Sequence, residues 1–456
     1  MTQGQNMNQL HDFLQELGLN EMSEVLSDLN KDRFNILLQR LSFYGKEIFL
    51  LQNNLLNQPK KELGCLEIPP SACKESSSIH QSGWDAIFKG KMACILLAGG
   101  QGSRFGLGAL KGATPITPIS KKSLFQIFFE KMKVLSYQSC RDLQIVVVVS
   151  EKNVEATKNF IKEHNFFGLQ EAQIHFLLQG SMPFLSETGK WLLESPGILA
   201  EGPCGNGKVL LWLAQSGLLS KLEAQGVEYL NLIPVDNPLA HPLDPSLAGL
   251  HETTGCEIAL KVMQREDSAE PVGLVASLEG QIRIVEYSDL DESVKSKRDL
   301  SEGLLFPYAN TGMMSFTVSF IKTHLSDFTG LPWHLAYKSA CIFDPVHKTQ
   351  SEKKVWKFEN FIFDVFCFSK SIQMIHCVRA DSFSPLKNVS GANSIDSVSS
   401  DLLKYYKKIY ANLSGLPVPE KKFELAPEFF YPSESLKKQW RGRSLPSCDY
   451  IEAIPL

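Results

Sequence analysis

The densest chemical signal in the chain begins at Leu97 and reads Leu97-Ala98-Gly99-Gly100-Gln101-Gly102-Ser103-Arg104-Phe105-Gly106, with Lys111 close behind. Clustered glycines let backbone N–H groups approach a phosphate chain without a side-chain clash, and successive amides form an anion nest. Arg104 and Lys111 add two fixed cations, so the segment is built for a polyphosphate. It is not a P-loop, which needs Gly-Lys-Ser/Thr after four spacer residues. It is not the dinucleotide pattern G-x-G-x-x-G either: Gly100 and Gly102 fit, but position 105 is Phe. No acidic ribose reader stands about 20 residues on, which argues against a nucleotide-dependent oxidoreductase. A tight turn with incidental basic residues would account for a lone G-x-G. It accounts poorly for several glycines with two cations directly after an apolar run.

The elements around the loop show how it is held. Met92 to Ala98 is a short continuous apolar run, and Ser123 to Leu135 repeats as an amphipathic helix with Leu124, Phe125, Ile127, Phe128, Met132 and Leu135 inward. Ile145 to Val149 is a second buried strand, Glu151 to His164 a second helix, and Tyr229 to Val235 a further strand ending at Asp236. Apolar strands alternating with helices predict an α/β fold, a Rossmann-like, mostly parallel mixed sheet covered on both faces. Ligands of such sheets bind beyond the carboxyl ends of the strands, where both the glycine loop and Asp236 fall.

Before this region, residues 7 to about 57 read as helical, with a break at Gly18 and Asn20. Gln58 to Ser82, with Pro69-Pro70 and Ser76 to Ser78, reads as a linker. From Pro385 the chain turns polar, and the Pro-punctuated tail from Pro417 suggests a small C-terminal domain. The expected division is 1–85 helical region and linker, 86–385 catalytic domain and 386–456 C-terminal domain.

The 456 residues suffice for more than one domain. The net charge of -4 argues against a nucleic-acid partner, which would need clustered Lys and Arg. No apolar run approaches the ~20 residues that span a bilayer, so no membrane is expected. The ten cysteines include no C-x-x-C pair, which points to a reducing cytoplasm rather than a disulfide framework.

The glycine loop resembles the signature of the UDP-sugar pyrophosphorylases, and especially the eukaryotic-type UDP-N-acetylglucosamine pyrophosphorylases. The likeness continues in order over residues 90–390. It runs through Lys121-Lys122-Ser123-Leu124-Phe125-Gln126, Gln179-Gly180-Ser181-Met182-Pro183, Pro203-Cys204-Gly205-Asn206-Gly207 and Val235-Asp236-Asn237. It continues in Glu270-Pro271-Val272-Gly273, Val285-Glu286-Tyr287-Ser288, Asn310-Thr311-Gly312, Phe361-Ile362-Phe363-Asp364 and Ser384-Pro385-Leu386-Lys387-Asn388.

The resemblance implies the nucleotide-diphospho-sugar transferase fold and a reaction between UTP and a sugar 1-phosphate. A sugar phosphate oxygen attacks the α-phosphorus in line and pyrophosphate leaves. Two anions must be held together, which calls for cations and a metal; the phosphate is already ionised, so no general base is needed. By resemblance, Gly99 and Gly100 approach uracil and ribose, while Gly102 and Ser103 line the triphosphate. Arg104 stabilises the departing pyrophosphate, Lys111 the α-phosphate, and Lys387 adds a further cation. Asp236 would bind Mg²⁺, which suits one carboxylate among phosphate oxygens. Gln179 and the Gly205 backbone would read uracil. Asn237, the Gly273 backbone and Glu286 would bond the sugar hydroxyls, with Phe361 and Phe363 as walls, although periodicity alone would put the two Phe residues in the core.

Three places depart from the acetylglucosamine-type pattern. Pro-Asp-Gly-Asn-Gly-Gly is here Pro203-Cys204-Gly205-Asn206-Gly207-Lys208, Asn-Ala-Gly-Asn is Asn310-Thr311-Gly312-Met313, and Leu107 to Leu110 alters the loop exit. A thioether at 313 cannot replace the hydrogen bonds of an amide. N-acetylglucosamine 1-phosphate is therefore the first expected substrate, with glucose 1-phosphate or broad sugar tolerance as runner-up. A non-catalytic nucleotide-binding protein is the remote alternative. The N-terminal helices fit either domain packing or self-association, which leaves the oligomeric state open.

Overall fold

Met92–Leu97 (β1) and Ile145–Val149 (β2) are apolar at every position, so they can be stable only with both faces covered. In a computed structural model of the chain, which describes residues 3–59, 64–100, 110–299 and 302–453, every residue of both strands is buried except Leu97, which is half-buried at the end of β1. They belong to a nine-stranded mixed sheet with Ile174–Leu178 (β3), Tyr229–Pro234 (β4), Ile258–Gln264 (β5), Leu274–Leu278 (β6), Gln281–Val285 (β7), Tyr308–Thr317 (β8) and Ile372–His376 (β9). The order is β7-β6-β8-β4-β1-β2-β3, and β5 joins β8 to β9. The β4-β1-β2-β3 half is parallel, with Ile95 opposite Val146 and Leu232. β8 runs antiparallel to β4 and β5, and its register breaks between Asn310 and Met314.

The chain groups into two units that interleave along the sequence. One holds residues up to 63 with 179–208 and 330–362, and the other holds the rest, including the sheet just described and the whole segment from 363 onward. Chain order and spatial grouping therefore differ.

Within the sheet-bearing unit, Ser77–Phe88 (α1), Leu124–Ser139 (α2), Pro245–Thr254 (α3) and Ile395–Ser414 (α4) supply covering helices. The expected linker from Gln58 to Ser82 is corrected here, because α1 begins at Ser77 and the Ser76 side chain accepts from the Ile79 amide at 3.3 Å. The serine run is a helix N-terminus, since a hydroxyl there satisfies an amide that the helix leaves unpaired. α1 crosses α3 at backbone contact: a Cβ on Gly83 would fall 1.7 Å from the Pro245 carbonyl oxygen, so only glycine fits. α2 buries Phe125, Phe128 and Phe129, each contributing roughly 1.5–3 kcal/mol by leaving water. α4 turns Val398, Leu402, Tyr406 and Tyr410 inward.

In the other unit, Gln3–Glu16, Asn20–Glu24 and Lys31–Asn57 are helices, with Gly18 at the predicted break and a kink at Gly45. The last helix is tied to short strands of the same unit. Arg40 and Tyr44 both reach Glu201, at 2.8 and 2.5 Å, and the buried Gln52 amide donates to the Pro183 carbonyl at 2.7 Å while accepting from the Trp191 indole at 2.8 Å. A long hairpin, His334–Asp344 with Thr349–Glu359, completes the unit. Among the described residues of the chain, no helix is long and apolar enough to cross a membrane.

His251 on α3 gives the fold a pH dependence. Its ring stacks on Tyr229 at 4.7 Å, Nδ1–H donates to the Cys256 carbonyl and Nε2 accepts from the Ser315 hydroxyl. Burial pushes the imidazole down to about 4, so the folded form is neutral where the unfolded chain, near 6.5, takes up a proton. This stability is present above pH 6.5 and is lost as pH falls, on the order of 2 kcal/mol by pH 5. Thermal melting at pH 7.5 and 5 should show a larger drop for the native chain than for His251→Asn, and equal drops would exclude this linkage.

Candidate active site

β1 and β4 are neighbours and parallel, so the residues that come after each emerge side by side at the same end of the sheet. After β1 comes Ala98, whose amide donates to the Val148 carbonyl and whose own carbonyl accepts from the buried Asn153 amide at 2.9 Å. That fixes the start of the glycine loop at Gly99 and Gly100. Gly102, Ser103 and Arg104 lie outside the described residues. The chain is described again from Leu110, and Lys111 opens a short turn, Lys111–Ala113.

After β4, the Val235 amide donates to the Leu97 carbonyl, and the next residue is Asp236. The residue is only 6% exposed, and one carboxylate oxygen, Oδ2, accepts from both Lys111 Nζ at 2.9 Å and Lys387 Nζ at 2.6 Å. Lys387 is brought there because the Leu386 amide donates to the carbonyl of Asp236 itself, at 2.8 Å. Burial alone would raise this carboxyl, but the charges of Lys387 and Lys111 outweigh it and hold it below its ordinary value. It is ionised at neutral pH. The second oxygen, Oδ1, is buried and has no hydrogen-bond partner among the described residues. An orphaned carboxylate oxygen in a cationic setting is an unmet demand for a further positive ligand. Among the described residues no group of three or more His, Cys, Asp or Glu could form an all-protein metal cage.

The other expected residues of this unit fall into two sets. Gly273 and Glu286 extend the paired ends of β6 and β7, where Leu274 faces Val285. A Cβ on Gly273 would come within 3.4 Å of Glu286 Oε1, so the two residues are in contact range. Asn237 has a different environment: it is fully buried, Nδ2 donates to the Ser382 carbonyl at 2.7 Å and Oδ1 accepts from the Ser384 amide at 3.0 Å. Its amide joins the strand end after β4 to the segment that carries Lys387. Met313, whose Sδ lies 3.8 Å from Asn237 Nδ2, is buried in the core. Phe363 is buried as well.

Gln179, Gly205 and Phe361 belong to the other unit. Gln179 is buried, and Phe361 packs on His334 with ring centroids 4.7 Å apart. The Cys204-to-Gly207 loop is fastened to Asn360, a residue that the sequence patterns did not single out. The Asn360 amide donates to the Cys204 carbonyl at 2.9 Å, its carbonyl accepts from the Gly207 amide, and the Asn206 side chain accepts from the Ile362 amide at 3.0 Å. Gly205 has φ +84°, and a Cβ there would fall 2.1 Å from the Asn360 carbonyl oxygen. Lys208, a departure from the family pattern, lies 5.0 Å from the centroid of the Trp333 ring, a cation–π contact that absorbs the added charge. Burial pushes the Cys204 thiol up to about 11, which keeps it protonated.

Strain and clash coincide at Gly205. Gly205→Ala should therefore lower stability by about 2 kcal/mol or more in a denaturant melt, and Gly217→Ala, at positive φ with open space around it, by less.

The chain is similar in sequence and in fold to known proteins. Residues 51–427 match the family described as UTP–glucose-1-phosphate uridylyltransferase. The UDP-N-acetylglucosamine diphosphorylase 1 of Arabidopsis thaliana is 32% identical, over 79% of this chain and 75% of that one. The UDP-N-acetylglucosamine pyrophosphorylase of Saccharomyces cerevisiae is also 32% identical, over 73% of this chain and 72% of its own. Among solved structures, the uridine diphosphate N-acetylglucosamine pyrophosphorylase of Trypanosoma brucei superposes with a TM-score of 0.78 at 22% identity, covering 96% of this chain and 95% of that one. The strand ends, the glycine loop and the sequence matches agree: the chain belongs to the UTP–glucose-1-phosphate uridylyltransferase family.

Proposed function

We propose that the protein transfers a uridylyl group from UTP to N-acetylglucosamine 1-phosphate, giving UDP-N-acetylglucosamine and pyrophosphate. The observation that carries this reading is the buried Asp236 carboxylate, held by two lysines on one oxygen and without a partner among the described residues on the other. Such a centre can exchange partners. Phosphate oxygens would take over the ammonium groups of Lys111 and Lys387, and Asp236 is the residue that would hold a divalent cation. Mg²⁺ suits one carboxylate with phosphate oxygens and waters, and there it would supply charge neutralisation for the phosphates.

The chain's own groups then do electrostatic work. Lys111 and Lys387 hold the α-phosphate region while the incoming phosphate oxygen forms its bond to the α-phosphorus. The bond from that phosphorus to the bridging oxygen breaks, and Arg104 meets the charge arriving on pyrophosphate. Gly99, Gly100, Gly102 and Ser103 cradle the nucleotide, and Gln179 with the Gly205 N–H reads uracil. Glu286 and the Gly273 backbone bond the sugar hydroxyls, and Phe361 and Phe363 limit its space. Asn237 supports the sugar site by fixing the strand end. All ten cysteines are free, which fits a reducing cytoplasm.

Glucose 1-phosphate is the second reading, favoured by the buried thioether of Met313 where the family pattern has an amide. Pyrophosphate release from UTP and Mg²⁺ with N-acetylglucosamine, glucose and galactose 1-phosphates in parallel separates the two. The expected order has N-acetylglucosamine 1-phosphate fastest; a higher rate with glucose 1-phosphate would favour the second reading, and no release with any sugar despite UTP binding would overturn both. Asp236→Ala and Arg104→Ala should each lower kcat by about 100-fold or more with the fold intact, and near-native turnover would remove that residue from the mechanism.

A further inference from the structure

Lys131 is an unusual residue for its place. It sits on the buried face of α2, is fully inaccessible, and has no carboxylate partner among the described residues. Its Nζ donates to the carbonyls of Pro238, at 2.9 Å, and Ala240, at 3.0 Å. The Phe430 ring, from the C-terminal segment, faces the same nitrogen with its centroid 4.5 Å away, and the Phe128 centroid is at 5.8 Å. Removing a charged side chain from water without a counter-charge is costly, and burial pushes the ammonium down to about 7. A methionine or leucine would fill this volume at lower cost, so the retained amine needs a reason.

The two carbonyls it holds belong to the turn that begins at Asp236. Residues 237–240 are outside helix and strand, so their main-chain oxygens have no ladder to pair with. Side chains do the work instead. Asn231 Nδ2 donates to the His241 and Pro242 carbonyls at 3.0 and 2.9 Å, and Asn237 is tied at both ends of its amide to residues 382–384. His241 Nδ1 is paired with the Tyr431 hydroxyl at 3.0 Å. Lys131 is the member of this set that joins α2 and the C-terminal segment to the Pro238 and Ala240 carbonyls.

We infer that Lys131 is a positioning residue for the transferase site, holding the turn after β4 so that the Asp236 carboxylate keeps the place from which it would hold a divalent cation. This rests on the proposed role of Asp236. A site with a single protein carboxylate depends on the placement of that group, since displacements near 1 Å degrade catalysis without removing any reacting atom.

The test uses the full chain and measures kcat and the Mg²⁺ concentration for half-maximal rate, beside thermal melting and UTP affinity without metal. Lys131→Met should fold and bind UTP near normally, require at least about 10-fold more Mg²⁺, and lose about 10-fold or more in kcat. Lys131→Arg, which keeps the charge and the donors, should recover most of both. Phe430→Leu removes the ring that faces the ammonium, along with its packing on Tyr405 and Tyr406, and should raise the Mg²⁺ requirement by a few-fold, deciding the matter if Lys131→Met does not fold. An unchanged Mg²⁺ requirement in a folded Lys131→Met, or in Phe430→Leu where only that variant folds, would overturn the inference. Asp236→Ala in the same series distinguishes the two levels: if it keeps native turnover, the reading of Asp236 itself has failed, whatever Lys131 does.

Discussion

A carboxylate with little access to water is tolerable only where its charge is met, and that constraint organises the sheet-bearing unit around Asp236. An unpaired buried carboxylate costs several kcal/mol, more than most single contacts return. The compensating charges come from Lys111 and Lys387, which lie 125 and 151 residues away in sequence. Only a fold that brings the exit of β1, the exit of β4 and the segment after β9 to one point can satisfy it. The parallel pairing of β1 with β4 does the first part, and the hydrogen bond from the Leu386 amide to the Asp236 carbonyl does the second. The two ammonium groups that stabilise the carboxylate are also the donors for which an entering anion would compete with its oxygen.

The chain beyond Lys387 serves this centre as a buttress. Glu424 is buried and accepts from the Ile119 and Ser120 amides and the Ser120 hydroxyl, pinning the stretch that leads from the phosphate loop into α2. Lys122, in the same stretch, donates to the Glu130 carboxylate and to the Tyr450 hydroxyl, each at 2.7 Å. Tyr431 reaches His241, and Phe430 covers Lys131. A polar, proline-punctuated segment thus contributes single side chains at four points of the frame.

Parts of this frame are legible in the sequence, and the rest is obscure for identifiable reasons. Strands as pure as Ile145 to Val149 allow no alternative to burial, and α2 follows from the spacing of Leu124, Phe128, Met132 and Leu135. Asp236 is visible because a carboxylate at the end of such a strand sits where ligands bind. Asn360 and Glu424 are not visible, because their partners are backbone groups far along the chain, and backbone groups leave no mark in residue types. Lys131 does leave one: a lysine among buried helical positions contradicts the period it interrupts. The serines before α1 mislead because Ser-rich composition signals a loop and a helix cap equally. Asn237 belongs to the family's motif, yet its amide is spent on main-chain groups that no motif records.

The strap before α1 has a bearing on how the protein behaves among its own copies. Cys73 pairs parallel with β9, its amide donating to Met374 and its carbonyl accepting from His376, and Glu67 pairs antiparallel with Ser277 on β6, the two exchanging both backbone hydrogen bonds. An exposed strand edge is a template on which a second chain can add a strand. At these positions the template is already occupied by a proline-bearing stretch of the same molecule. Proline lacks the amide needed to extend a ladder, so Pro69 and Pro70 keep the strap from becoming a new edge. A segment that looks like a mere connection therefore works as a guard against intermolecular sheet growth.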